Sequence, residues 1–150
     1  MKTSTKIKLG FLAAMALLYS CTTNSAGPAY TSNAEDNCRV VHISDGDTFD
    51  VKCSGHPQER IRIQGYDTPE TYYADCPAEK ALGDEATARL TALVRSRPIT
   101  RIERNGFDKY GRVLARVWLG REDLADTMVR EGLAMRYSGG TRANWCAELN

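Results

Sequence analysis

The Asp45-Gly46 dipeptide and the runs on either side of it, Val40-Val41-His42-Ile43 and Thr48-Phe49-Asp50-Val51, decide how this chain begins to fold. β-Branched and aromatic residues favour extended backbone, and Asp-Gly accepts the left-handed conformations of a two-residue turn, so the segment reads as a β-hairpin. Cys38 and Cys53 lie equally far from the middle of that turn, which sets them across from one another. Cys21 aside, the other cysteines are Cys76 and Cys146. Several connectivities are open to such a set. The hairpin favours Cys38–Cys53 and leaves Cys76–Cys146, although a one-residue slip in register would undo the argument. An even set of this kind belongs to an oxidising compartment. Zinc ligation is the poorer reading, because there is no Cys-x-x-Cys and His42 and His56 are not spaced as ligands.

Beyond the hairpin, Glu59-Arg60-Ile61-Arg62-Ile63-Gln64 alternates polar with apolar. It reads as a third strand with Ile61 and Ile63 toward a core and Arg60, Arg62 and Gln64 on an open face. From Glu79 to Ser96 the residues Leu82, Ala86, Leu90, Leu93 and Val94 recur at helical spacing, and Pro98 ends the helix. Ile99 to Arg104 is a fourth strand, the segment 105–111 a turn, and Arg112 to Leu119 a fifth strand. A second helix follows, with Glu122 and Asp123 in its first turn, Leu124, Met128 and Val129 on its apolar face and Gly132 as its stop. Residues 141–150 form a short third helix held by Cys146.

The N-terminus reads as an address. Lys2, Lys6 and Lys8 precede an apolar run from Leu9 to Leu18 and then Tyr19-Ser20-Cys21, so residues 1–21 are a secretory signal peptide. The run falls well short of the about 20 residues that a membrane-spanning helix needs. Leu18, Ser20 and Cys21 resemble a bacterial lipoprotein box, in which the cysteine is lipidated; Tyr19 departs from the usual small or aliphatic residue. Cleavage instead within Ser25-Ala26-Gly27-Pro28-Ala29 would free a soluble protein. Residues 22–37 are a tether and 38–150 the folded domain. The whole chain has 20 Lys and Arg against 19 Asp and Glu; without the three leader lysines, 17 basic groups face 19 acidic ones, a formal charge of −2. Bulk charge therefore gives no grip on a polyanion, and any nucleic acid must be held locally.

Three short segments carry chemistry. Asp45-Gly46-Asp47-Thr48 can aim two carboxylates at a hard cation, although read alone it is ordinary hairpin chemistry. Arg62 is followed by Asp67-Thr68-Pro69-Glu70, which read alone is a capped helical turn with Thr68 as N-cap and Pro69 at the first helical position. Asp108-Lys109-Tyr110-Gly111-Arg112 read alone is a charged turn. In their order and spacing, however, Asp-Gly-Asp-Thr, Arg-x4-Asp-Thr-Pro-Glu and Asp-Lys-Tyr-Gly-Arg resemble the staphylococcal nuclease, or thermonuclease, family, and the likeness runs from about Val40 to Tyr137. Weaker echoes at Glu79, Lys80, Gly83, Glu85 and Ala86, and from Val129 to Ala134, are packing features.

The resemblance implies an α+β fold, a five-stranded OB-type Greek-key β-barrel with about three α-helices. It also implies a calcium-dependent phosphodiesterase that cuts DNA or RNA at the bond to the 5′ oxygen and leaves a 3′-phosphate. Asp47 and Asp67, with the backbone carbonyl of Thr68, match the metal ligands; oxygen-only ligation suits Ca²⁺. Glu70 matches the catalytic carboxylate beside the attacking water, Arg62 and Arg112 the pair on the reacting phosphate, and Lys109 and Tyr110 the contacts to a terminal phosphate. Asp45 would support the metal indirectly. The chain is less basic than the family's best-known secreted member, so single-stranded or frayed substrate is expected to be preferred. Tyr72 and Tyr73 read equally well as stacking residues and as loop packing. The expected protein is an extracytoplasmic monomer, in the envelope or secreted, that meets a membrane only through an N-terminal lipid. The alternatives are a catalytically silent OB-type nucleic-acid-binding module and a structural envelope lipoprotein.

Overall fold

The computed structural model describes residues 31–32 and 37–150; the leader, Cys21 and nearly all of the tether lie outside the described residues. Among the described residues, nine strands and three helices follow in the order β1 (Thr31–Ser32), β2 (Arg39–Asp45), β3 (Thr48–Lys52), β4 (Gln58–Ile63), β5 (Gly65–Asp67), α1 (Pro77–Ser96), β6 (Ile99–Phe107), β7 (Val113–Leu119), β8 (Glu122–Asp123), α2 (Leu124–Arg130), β9 (Met135–Tyr137) and α3 (Trp145–Glu148). The long strands are those read from the sequence, except that β6 runs past Arg104 to Phe107 through residues read as a turn. They lie side by side as β6-β7-β4-β3-β2, and β4 with β7 is the parallel contact, the strand order of a Greek-key OB-type sheet. Thr31 and Ser32 add to the outer edge of β6, opposite Glu103 and Ile102.

Alternation along the strands builds the core. Phe49, Val51, Ile61, Ile63, Val113, Ala115, Val117 and Leu119 all turn inward and are buried, and α1 lays Ala86, Leu90 and Leu93 on them. Fully burying a side chain of this size contributes about 1.5–3 kcal/mol. The helix starts at Pro77, two residues before the sequence boundary, because Cys76 takes the extended N-cap conformation and proline fits the first helical position. It ends at Ser96 with Arg97 extended ahead of Pro98.

Three sequence expectations are corrected. The hairpin turns on Gly46 and Asp47 rather than on Asp45 and Gly46, since Asp45 pairs with Thr48. Bulges between Ile43 and Asp45 and between Val40 and His42 then shift the register back, so that Arg39 faces Lys52 and the Cys38–Cys53 disulfide forms as read. Glu122 and Asp123 belong to β8, not to a helix. Asp123 closes the strand and caps α2 by accepting from the backbone N–H of Ala125 at 2.8 Å. Arg62 does not stand on an open face: its side chain is 12% exposed, while Arg60 is 54% exposed on Asp50.

A second, two-stranded sheet, β5 with β9, was not visible in the sequence. Asp67 pairs with Met135 and Gly65 with Tyr137, which ties the end of the chain to the segment after β4. Tyr66 between them is fully buried and donates its hydroxyl to the Gly46 carbonyl at 3.0 Å. The Cys76–Cys146 disulfide makes a second tie between α1 and α3.

Helix α1 meets the Pro69–Glu70 backbone at Gly83, where an added Cβ would lie 2.7 Å from the Glu70 carbonyl oxygen and 2.9 Å from that of Pro69. These are backbone atoms held by packing on both sides. Gly83→Ala should therefore destabilise the protein by about 1–3 kcal/mol, the cost of overpacking, despite alanine's better helix propensity. Urea unfolding of the variant beside the parent checks this, and equal midpoints would contradict it.

Candidate active site

The strand pairings bring the three motifs to one end of the sheet. Thr48, at the start of β3, faces Arg62 on β4, and Arg62 in turn faces Leu114 on β7, so Arg112 lies just ahead of that row. β5 then carries the chain from Arg62 to Asp67, and the non-helical loop beyond it presents Thr68, Pro69 and Glu70. The capped helical turn, an open reading of this tetrad, does not form. Instead the Thr68 hydroxyl donates to Asp47 Oδ2 at 3.3 Å.

Arg62 is the hub. Its Nη2 lies 2.9 Å from Asp47 Oδ2 and 3.0 Å from Asp67 Oδ1, while Nη1 donates to the carbonyls of Ile63 at 2.6 Å and Tyr66 at 3.3 Å. Both acids are buried, Asp67 almost completely. Asp47 also accepts the Thr48 hydroxyl at 2.9 Å, and its backbone N–H donates to Asp45 Oδ1 at 3.0 Å. Burial pushes the Asp47 carboxyl up to about 6; Arg62 opposes the shift and the neighbouring Asp45 charge adds to it.

Arg112 joins this cluster through Thr48. Its Nη1 is 3.4 Å from Thr48 Oγ1, and its Nε is fixed on Asp108 Oδ2 at 2.6 Å. Asp108 meanwhile accepts the backbone N–H groups of Tyr110 and Arg112 with Oδ1, each at 2.9 Å. The charged turn and the functional reading of this motif therefore hold together: the turn is the device that aims Arg112. Lys109 and Tyr110 sit apart from the carboxylates on the exposed tip, with Lys109 Nζ 5.0 Å from the tyrosine ring centre. Beside them lies an open cleft of about 310 Å³ lined by Asp50, Gln58, Arg60, Tyr110, Gly111 and Arg112. Tyr72 and Tyr73 are 84% and 87% exposed, which removes loop packing as their role.

Arg142 escaped the sequence reading, and Glu79, read there only as a packing feature, has a polar role. Arg142 donates from Nε to Asp67 Oδ2 at 3.0 Å, from Nη2 to the Thr68 carbonyl at 3.1 Å and from Nη1 to Glu70 Oε1. Burial alone would lower its pKa, but the Asp67 and Glu70 carboxylates outweigh that and raise it. Glu79 is buried on the first turn of α1 and accepts the backbone N–H of Glu70 at 3.2 Å and of Asp75 at 2.8 Å, fixing the backbone of the 68–75 loop. The one sequence signal for Arg142 was the pairing of Cys146, four residues past it, with Cys76, six residues past Glu70.

Asp47, Asp67 and the Thr68 carbonyl present hard oxygens in one place. Asp67 and the carbonyl already hold a cationic guanidinium, so the donor set fits a divalent cation of calcium type. Glu79 also lies close to the sulfurs of Cys76 and Cys146, but those sulfurs are bonded to each other and are not thiolate ligands.

Residues 60–146 match the family model described as Staphylococcal nuclease homologue. Among curated relatives, the chain is 35% identical over 104 residues to a thermonuclease of Staphylococcus hyicus, covering 69% of this chain and 61% of the relative. It is 36% identical over 117 residues to a thermonuclease of Staphylococcus intermedius, covering 74% and 67%. It is 33% identical over 106 residues to an uncharacterized endonuclease of Haemophilus influenzae, covering 71% and 55%. The chain thus spans little more than half the length of some of these relatives. A match of this extent, over the strands and loops that carry the buried carboxylates and both arginines, places the chain in the staphylococcal nuclease family.

Proposed function

We propose that this protein is an extracytoplasmic, calcium-dependent nuclease that hydrolyses phosphodiester bonds of DNA or RNA and leaves 3′-phosphates. One observation carries the reading. Arg112, Thr48, Asp47, Arg62 and Asp67 form a continuous run of polar contacts that draws together residues from all three motifs. Retention of both carboxylates, both arginines and Glu70 argues against a silent binding module. The two disulfides support an oxidising compartment.

A phosphodiester is an anion that repels nucleophiles, and its transition state gathers charge on the non-bridging oxygens. Arg62 offers a guanidinium fixed in place by four contacts, one of which its Nη groups would exchange for a phosphate oxygen. Arg112, held by Asp108, offers a second from the other strand. Ca²⁺ held by Asp47, Asp67 and the Thr68 carbonyl would supply further charge stabilisation. Glu70, partly exposed at the mouth of the cluster, takes or orients a proton of the attacking water. Exposed Tyr72, Tyr73 and Tyr110 suit stacking against unpaired bases.

Glu70→Gln should lower the cleavage rate by at least about 100-fold in calcium while leaving nucleotide binding largely intact. A variant that stays fast would remove Glu70 from the chemistry. Chelation of calcium should abolish cleavage by the parent, and cleavage that persists in chelator would defeat the metal reading.

Asp47 links pH to both stability and metal loading. Its folded pKa of about 6 exceeds the ordinary aspartate value of 3.8, so between these values the metal-free native state holds a proton that the unfolded chain has lost. The contribution of Asp47 to stability is therefore present at acid pH and fades as pH rises through about 6. Calcium affinity moves oppositely and weakens below that pH, since only the carboxylate binds. Asp47→Asn should flatten this part of the stability profile, read from urea midpoints across the acid range.

Matched single- and double-stranded DNA of equal length should be cut at clearly different rates, the single strand faster. Equal rates would reject the stacking reading.

A further inference from the structure

The contacts of Arg142 go beyond the family motifs. Its guanidinium grips Asp67 Oδ1 at 2.8 Å, the Thr68 carbonyl at 3.1 Å and Glu70 Oε1, two oxygen sources assigned to the cation and the carboxylate assigned to water. Each is an acceptor that repels its neighbours, so a positive group is needed to hold them converged. Arg62 meets that need for Asp47 and Asp67 from beneath, whereas Arg142 meets it from the solvent side, with 42% of its side chain exposed. A group so placed can leave.

The backbone around Arg142 explains how it arrives. β9 pairs with β5 just before it, Cys146 is bonded to Cys76 just after it, and Trp145 is buried. The segment is thus strapped at both ends across the mouth of the cluster, which gives its guanidinium a high effective concentration there. Glu79 anchors the Glu70 side by accepting its backbone N–H.

We propose that Arg142 is a positioning residue that pre-assembles Asp67, Thr68 and Glu70 in the metal-free protein and competes with the divalent cation for their oxygens. The inference rests on the reading that this cluster binds calcium. A cation arriving at Asp67 and the Thr68 carbonyl meets a like charge already bound to the same oxygens, so loading requires Arg142 to withdraw from them. Glu70 is released in the same movement and becomes available to water. The strap limits that withdrawal, and the Cys76–Cys146 bond therefore tunes metal affinity from a distance.

Calorimetric titration of the purified full chain with CaCl₂, without nucleic acid, tests this. Arg142→Gln should bind Ca²⁺ about tenfold more tightly than the parent, the scale of one charge-assisted hydrogen bond, while its metal-free form melts at a lower temperature. A merely structural arginine would lower the melting temperature without tightening calcium. Arg142→Lys should fall between the two, because an ammonium keeps the charge but loses the fork. Paired Cys76→Ser and Cys146→Ser substitutions should tighten calcium by a smaller factor, and unchanged affinity there would overturn the part assigned to the strap. Equal or weaker calcium binding by Arg142→Gln would overturn the proposal and leave the metal reading standing. Absence of calcium binding in both parent and variant would overturn the metal reading and the proposal with it.

Discussion

Two buried carboxylates sharing one guanidinium nitrogen govern this structure. Asp47 and Asp67 come from different segments, yet both lean on Nη2 of Arg62 in a place nearly closed to water. Removing one partner of such a pair strands a buried charge and costs about 3–5 kcal/mol, whereas replacing the whole set with apolar groups is often neutral. Stability alone is therefore a weak reason for the set to exist. The cluster amounts to negative charge stored beside a guanidinium near the surface.

Around that store, the fold works by fixing backbone rather than by crowding side chains. The parallel β4–β7 contact decides that Arg62 and Arg112 approach the same end of the sheet. Gly83 lets α1 come against the Pro69 and Glu70 carbonyls, and Glu79 one turn earlier holds the Glu70 N–H. The loop that bears Glu70 is thereby clamped through its main chain. The Glu70 side chain, partly exposed, is paired with Arg142.

Much of this was legible in the sequence, for identifiable reasons. Alternating strands and the α1 stripe announce themselves by period, and the family motifs name Asp47, Arg62, Asp67, Thr68, Glu70 and Arg112 without any need of geometry. The hairpin shows how local rules fall short: the turn lies one residue later than Asp-Gly chemistry indicated, and two bulges compensate, so Cys38 and Cys53 meet through errors that cancel. Bulges leave no period to detect. β8 and Asp123 were misread because an acid before an apolar run looks the same as a strand end, an N-cap or a first helical turn. β5 and β9 are too short to show a pattern, and the contacts of Arg142 depend on them. Those contacts span more than seventy positions and lay beyond sequence reasoning.

The pairing of β4 with β7 has a temporal meaning. Ile61 cannot meet Val113 until all of α1 and β6 have been made and folded back, and β9 and Cys146 come later still. Long-range closures of this kind are slow compared with local helix formation. A nascent or unthreaded chain has therefore no assembled cluster, whichever motifs it has already exposed. Topology itself delays assembly of the cluster until β7 has been made.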